Sequence, residues 1–271
     1  MAERTTRPDP FSANRDGEQW DWYYRPEASG FEAELFRRRC RYAAARVVDL
    51  IPPEGRLLDL GCGAAPLSSL LADMGRTTVA GDLSTDMLTF ARARLDRAGH
   101  WPHPLVQADG GRLPFDDATF DGVLALGVIS YVPDRGAALA EIHRVLRPGG
   151  LLVVSYRSRY GRIAFDPDRL VRHLGHLADR TAGARAERGE RAAGAYLRPG
   201  RIDPTIEANG FRIDDRHGIG FGPLRFRGRE VLGDRANHLA DWALSALLGR
   251  FDRRGMPLAD LQILITRRIG P

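Results

Sequence analysis

Residues 57–75, L-L-D-L-G-C-G-A-A-P-L-S-S-L-L-A-D-M-G, decide how the chain is read. Leu57, Leu58 and Leu60 predict a buried strand. Gly61 and Gly63 predict a turn at which backbone can approach a ligand closely. Pro66 suits a first helical residue, where its missing N–H costs nothing. Leu67, Leu70, Leu71 and Met74 recur at helical spacing, and Gly75 can end the helix. A strand feeding a glycine turn and a helix N-terminus is the architecture of a nucleotide-cofactor site in an α/β sheet.

Working outward, strands and helices alternate. A helix with Phe36, Cys40, Ala43 and Val47 on one face ends near Ile51. Strands are expected at 77–81 (ending in Asp82), 105–108 (ending in Asp109), 122–126 and 151–155. Ser84 is placed to cap a helix whose inward face is Met87, Leu88, Ala91 and Leu95. Asp134 starts a helix that R-P-G-G at 147–150 stops. Later strands fall at 211–217 and 261–267. This alternation predicts a parallel sheet with helices on both faces, which binds ligand at the carboxyl ends of its strands. Asp59, Asp82 and Asp109 lie at or near such ends.

The expected architecture is one α/β, Rossmann-like domain of about seven strands with helical cap insertions. Its parts are a disordered terminus (1–17), a helical N-terminal arm (18–55) and the cofactor-binding core (56–156). A cap insertion (157–197) follows, and then the rest of the core (198–271) with a helical insertion at 218–258. The amphipathic segment around Trp242, with Leu239, Leu244, Leu247, Leu248 and Phe251, reads as core in preference to a membrane anchor.

Composition excludes several classes. The 271 residues include 43% hydrophobic ones, enough for a real core, and no apolar run suggests a membrane span or a leader. A cytoplasmic protein is the default. Two cysteines cannot build a disulfide scaffold or metal cluster. The net charge is +5, and all 40 basic residues are Arg, interleaved with 35 acids. No basic stripe with interleaved aromatics appears, so no nucleic-acid partner is expected. Nothing in the sequence marks an oligomeric state.

As a dinucleotide fingerprint the turn fails, because Pro66 stands where G-x-G-x-x-G needs a small residue. Five motifs in order fit another pattern: D-L-G-C-G (59–63), G-D-L-S-T-D-M-L (81–88), A-D-G-G-R-L-P-F (108–115), F-D-G-V (120–123) and R-V-L-R-P-G-G (144–150). Together they resemble the class I S-adenosylmethionine-dependent methyltransferases, with the closest look to the small-molecule branch of quinone biosynthesis. The resemblance spans residues 56–155 and implies a reversed last strand, S-adenosylmethionine as cofactor and a small-molecule methyl acceptor. It implies Asp59 at the cofactor's amino end, and Gly61 and Gly63 against its methionine part and ribose. Asp82 would accept the ribose hydroxyls, Leu83 and Met87 flank the adenine, and Asp109 take the adenine amino group with Gly110 leaving room beside it. Leu126 ends the strand facing the methyl group. Ala65 stands where the family usually has a third glycine.

Catalytic groups are less legible. Methyl transfer from an activated donor needs alignment, and a base only when the nucleophile starts protonated. Tyr131, His173, His176 and His217 are the candidates; Tyr131 stands where the family often carries His. No metal cluster is evident. The run W-D-W-Y-Y-R-P at 20–26 reads either as a hydrophobic staple or as an aromatic substrate lid built from Trp22, Tyr23 and Tyr24. The acceptor expected above such residues is aromatic or quinol-like, methylated at oxygen or carbon. Two alternatives stand beside this reading: a nicotinamide-dependent oxidoreductase, and a non-catalytic module that binds S-adenosylmethionine.

Overall fold

The computed structural model describes residues 18, 20–25, 27–164, 196–222, 225–226, 229–230, 233–252 and 258–270. The expected disordered terminus and most of the first cap insertion lie outside these residues.

In chain order come α1 (Phe31–Leu50), β1 (Leu57–Leu60), α2 (Pro66–Asp73), β2 (Thr78–Asp82), α3 (Thr85–Arg97), β3 (Leu105–Gln107), β4 (Phe120–Leu126), α4 (Arg135–Val145) and β5 (Leu146–Ser158). Then follow α5 (Arg159–Ala164), β6 (Tyr196–Leu197), α6 (Pro199–Ala208), β7 (Phe211–Ile219), β8 (Arg225–Phe226), β9 (Arg229–Glu230), α7 (Asp234–Asp252) and β10 (Leu261–Arg268). The main sheet has the order β3-β2-β1-β4-β5-β10-β7, with β6 pairing β5 off that path. β1 to β5 are mutually parallel, and β10 runs antiparallel to both neighbours. This is the expected Rossmann-like sheet with a reversed last strand. The strand order turns back between β1 and β4, and a crevice at such a switch point is where open α/β sheets take ligands.

Alternation along β1 sorts its side chains. Leu58 and Leu60 join the core under α4 and α6. Leu57 faces the other way, into the core shared by α1 and α2. Asp59 shares that parity, so a carboxylate enters the α1/α2 layer. The spacing of α3 holds as well: Ser84 caps it by accepting from Met87 N at 3.3 Å, and Met87, Ala91 and Leu95 are buried. Asp134 caps α4 through Ala137 N at 3.0 Å.

Two expectations are corrected. R-P-G-G at 147–150 ends α4 as expected, but the strand expected at 151–155 runs from Leu146 to Ser158 and includes it. β5 already begins at Leu146, and its register against β4 jumps from Phe120↔Leu146 to Gly122↔Leu151, so the extra residues bulge within the strand. In α7 three of the apolar residues read as core are on the outside, Leu239, Trp242 and Leu247 being 66%, 71% and 67% exposed, while Leu244 and Leu248 are half-buried. The buried side carries Asn237 and Asp241. Asp241 accepts Phe221 N at 2.7 Å and pairs with Arg38 of α1 at 2.5 Å. Paired polar groups, which hydropathy periodicity does not score, dock this helix. No helix among the described residues is long and apolar enough to cross a membrane.

The glycine turn uses three left-handed residues: Gly61 (φ 64°), Gly63 (φ 56°) and Ala65 (φ 53°). Ala65 is fully buried against Ala80, Ala91 and Leu95. Its methyl group fills that space while its backbone bears the left-handed cost of roughly 1–2 kcal/mol. Ala65→Gly relieves that cost but removes a buried methyl worth about 0.8 kcal/mol and adds chain entropy. Urea unfolding should place Ala65→Gly within about 1 kcal/mol of wild type. Ala65→Val adds β-branching at positive φ in a filled space and should lose about 2 kcal/mol or more.

Candidate functional site

The site forms at the carboxyl ends of β1, β2 and β4. Cys62 N donates to Gly81 O at 3.0 Å, clipping the turn after β1 onto β2. A Cβ at Gly61 would lie 2.3 Å from Val128 Cγ2 just after β4, so glycine there closes the two strand ends together. A Cβ at Gly63 would meet Met87 Cε at 3.3 Å.

Asp82 locks this geometry. Its Oδ2 accepts Gly63 N at 2.8 Å and its Oδ1 accepts Ser84 N at 2.9 Å. Each oxygen keeps a second lone pair for a ligand donor. Burial raises the Asp82 pKa, and the backbone N–H groups of Ser84, Gly63 and Leu83 oppose the rise.

Asp59 is buried below the turn. Its carboxylate accepts the Ser68 side chain at 2.7 Å and the Ser68 backbone N–H. The N-cap of α2, Ala65, makes no side-chain capping bond, so a residue of the preceding strand satisfies this helix start. Burial pushes the Asp59 pKa up to about 6, against the two Ser68 bonds; Asp82 adds to the rise and Arg39 opposes it.

The N-terminal arm and α1 roof the cleft. Trp20, Tyr23 and Tyr24 pack on Phe36 of α1, with ring centroids 5.6, 5.3 and 6.1 Å away. That is the geometry of a staple. Trp22 stays 42% exposed. The arm also reaches the far side: Asp21, 4% exposed, pairs with Arg94 of α3 at 2.5 Å. Below it Arg39 is 8% exposed, bonds the Tyr24 hydroxyl, and lies 2.8 Å from where a Gly127 Cβ would stand. Arg39 Nε is buried with no hydrogen-bond partner among the described residues. Sequence reasoning missed Arg39, because one Arg in the run Arg37-Arg38-Arg39 carries no distinguishing signal.

On the β4–β5 side, Arg157 is a clasp. It pairs with Glu32 of α1 at 2.8 Å and with Asp260 at 2.5 Å, and lies 4.9 Å over the Tyr196 ring. Burial works against its charge, but Asp260 and Glu32 outweigh that and raise its pKa. Tyr131, 41% exposed, is near enough to feel Arg157, Arg39 and Glu32. Its pKa is raised by burial, which the two arginines oppose.

The remaining expected residues separate. Leu126 ends β4. Leu83 is 54% exposed beside the buried Met87. Asp109 is exposed and accepts Gly111 N at 2.9 Å; a Cβ at Gly110 would touch nothing nearer than Leu60 at 4.0 Å. His173 and His176 lie outside the described residues. His217 is far from the turn: it stacks on Tyr42 of α1 at 4.1 Å. It is opposite Ile263, which is opposite Ser155, which pairs with Leu126. Three strand spacings, about 14 Å, separate it from the end of β4. Cys40 and Cys62 are buried thiols; burial lifts the first to about 11 and the second well above its usual value, so both stay protonated.

Residues 58–154 match the family model described as a methyltransferase domain. The chain is 31% identical to a ubiquinone biosynthesis O-methyltransferase of Rhizobium johnstonii over 179 residues, 64% of this chain and 66% of that protein. It is 42% identical to a demethylmenaquinone methyltransferase of Clavibacter sepedonicus over 115 residues, 42% of this chain and 45% of that protein. The chain thus spans just under two thirds of the first relative and under half of the second. Among solved structures, magnesium protoporphyrin IX methyltransferase from Synechocystis PCC 6803 with bound SAH superposes with a TM-score of 0.60 at 17% identity, covering 94% of this chain and 95% of that one. The [4+2]-cyclase SpnF gives 0.59 at 21%, covering 91% and 85%. At these identities the two structures share the fold alone. With a methyltransferase domain matched, the nicotinamide alternative falls away.

Replacing Arg157 with Met would remove its ion pairs with Asp260, 6% exposed, and with Glu32 of α1. Thermal and urea unfolding should show a loss of about 3 kcal/mol, the scale for breaking one side of a largely buried pair. Arg41→Met, at the half-exposed Arg41–Glu34 pair, should leave the melting temperature unchanged.

Proposed function

We propose that this chain, which belongs through residues 58–154 to the class I S-adenosylmethionine-dependent methyltransferases, methylates an oxygen or ring carbon of a small phenol- or quinol-like acceptor. The observation that carries the cofactor half of this reading is the Asp82 carboxylate, held at the end of β2 by two backbone N–H groups. A pair of vicinal hydroxyls fits its two free lone pairs, and charge-assisted bonds of that kind are strong.

The residues present suit the cofactor. The Gly63 turn leaves a cradle that a Cβ would fill. In this reading Asp59 would meet the cofactor's ammonium group, and Arg39, whose Nε has no hydrogen-bond partner among the described residues, its carboxylate. Leu83, Met87 and Asp109 are the adenine contacts in this assignment. When bound, S-adenosylmethionine supplies an electrophilic methyl on a sulfonium. The chain's own task is to align the acceptor and keep water out.

For the acceptor, the charges around Tyr131 weigh most. Arg39 and Arg157 both bear on Tyr131, with Glu32 opposing them; Arg157 is paired with Glu32 and Asp260, so Arg39 is the cation that would favour an anionic oxygen such as a phenolate. Tyr131 itself, its pKa raised by burial, remains a protonated donor at neutral pH and would orient the acceptor rather than take its proton. Trp22, 42% exposed on the arm, would flank a planar ring. The names of the two quinone-biosynthesis relatives support a ring substrate and leave oxygen and carbon methylation both in play. A cofactor-binding protein that does not transfer methyl is the second reading; that a [4+2]-cyclase has the same fold supports a reaction other than methyl transfer on such a scaffold.

Two measurements test this. Calorimetry with S-adenosylhomocysteine should show submillimolar binding, and Asp82→Asn should weaken it by about 10- to 100-fold. A panel of phenols and quinols with labelled cofactor should yield methylated product; tight binding with no product would favour the second reading.

Asp59 adds a pH signature. Its folded pKa of about 6 stands above the usual 3.8. The empty fold therefore binds this proton more tightly than the unfolded chain does, and loses stability as pH rises from about 4 through 6. A ligand ammonium requires the ionised form. S-adenosylhomocysteine affinity should be flat just above pH 7, while the ligand ammonium keeps its proton, and fall toward tenfold per unit below about pH 6, while Asp59→Asn should bind weakly with no such acid slope.

A further inference from the structure

Behind Asp59 lies a chain of buried polar groups that the reaction described above does not use. Ser68 Oγ is 2.7 Å from Asp59 Oδ2, Thr78 Oγ1 is 2.9 Å from Ser68 Oγ, and His103 Nε2 is 3.0 Å from Thr78 Oγ1. The four residues come from β1, α2, β2 and the segment before β3. They are 3%, 0%, 1% and 8% exposed. Nothing in the sequence motifs marks Ser68, Thr78 or His103.

Proton counting fixes the direction of this chain. An ionised carboxylate only accepts, so Ser68 must donate to Asp59. The Ser68 proton is then spent, and the Thr78–Ser68 bond uses the Thr78 proton. The Thr78 proton is then spent as well, so the last bond needs a proton on His103 Nε2. Every dipole points toward Asp59. Either charge state of the imidazole can donate from Nε2, so the direction survives titration of His103. Burial and the neighbouring His100 lower the His103 pKa, keeping it neutral at physiological pH. The chain can run backwards only if Asp59 is protonated.

We propose that Ser68, Thr78 and His103 are positioning residues: they form a one-way donor chain that orients the Asp59 carboxylate and sets the pH at which the floor of the site becomes anionic. The inference rests on the reading that Asp59 takes the cofactor's amino group. Other groups bear on Asp59 from each packed element: Asp82 from β2, Arg39 and Cys40 from α1, and Cys62 from the turn. Asp82, Cys40 and Cys62 cannot donate a positive charge, and Arg39 approaches from the roof. The serine–threonine–histidine chain approaches from below and works by hydrogen bonds.

The test separates the chain from the ligand reading. In ligand-free protein labelled with carboxyl-13C aspartate, the Asp59 signal is identified by its loss in Asp59→Asn and followed against pH. Ser68→Ala should raise its midpoint by about one pH unit and isosteric Thr78→Val by about half a unit, the scale of losing one direct or one relayed hydrogen bond. Thr78→Ser, which keeps the hydroxyl, should stay at the wild-type midpoint. The pH threshold of S-adenosylhomocysteine affinity should move by the same amounts. An unmoved midpoint in Thr78→Val, in protein that unfolds with wild-type cooperativity, overturns the chain. A midpoint that moves while affinity stays independent of pH supports the chain and overturns the assignment of Asp59 to the amino group. A merely structural role for Thr78 would change stability and leave both midpoints where they are.

Discussion

A single buried carboxylate constrains the rest of the site. Asp59 lies in a core strand, 3% exposed, where an uncompensated charge would be expensive. Its compensation comes from Ser68, through both side chain and backbone, and that same bond satisfies the open start of α2. The glycine turn therefore has little freedom. It must leave β1 with Asp59 pointing toward α2, cross to β2 through Cys62 N, and present Gly63 N to Asp82. Left-handed residues at 61, 63 and 65 are the way so short a connection does all three. Asp82 closes the arrangement from the neighbouring strand, so the two carboxylates hold the turn from below and from the side.

The upper half of the site is built on ion pairs. α1 lies over the α-helical face of β1 and β4 and sends Arg39 toward Gly127. The arm before it is anchored at Asp21 to α3, and Arg157 ties α1 to Asp260 and to Tyr196. These links join segments far apart in sequence around one opening. Each of these cations is matched by a carboxylate, so the opening is braced by charge pairs, while Arg39 bonds the Tyr24 hydroxyl.

Periodicity and punctuation made much of the fold legible. Residues 57–75 behave as read, from the four-residue strand to Pro66 at the first helical position. The caps at Ser84 and Asp134 were readable because capping depends on a side chain and an amide three residues away. The misreadings have the same root. In α7 the buried side is anchored by Asp241, with Leu244 and Leu248 only half-buried beside it, and a scale that counts only apolar burial does not register that anchor. In β5 the R-P-G-G segment ends a helix locally, but whether it turns or bulges depends on where β4 lies beside it. Arg39, Ser68, Thr78 and His103 were invisible because ordinary residues acquire roles only through their neighbours.

The sequence by itself determined the order of strands and helices, the reversed last strand, and the carboxylates at strand ends, since these follow from spacing, parity and the resemblance of five ordered motifs. The tertiary structure alone decided which cation reaches the cleft, which of the candidate side chains stand near it, and what lies beneath Asp59. His217 shows the difference: as a residue type it could serve as a base, yet strand register puts it about 14 Å from the end of β4. Local chemistry sets what a side chain can do. Contacts between elements distant in sequence set its charge state, its hydrogen-bond partners and the group it can reach.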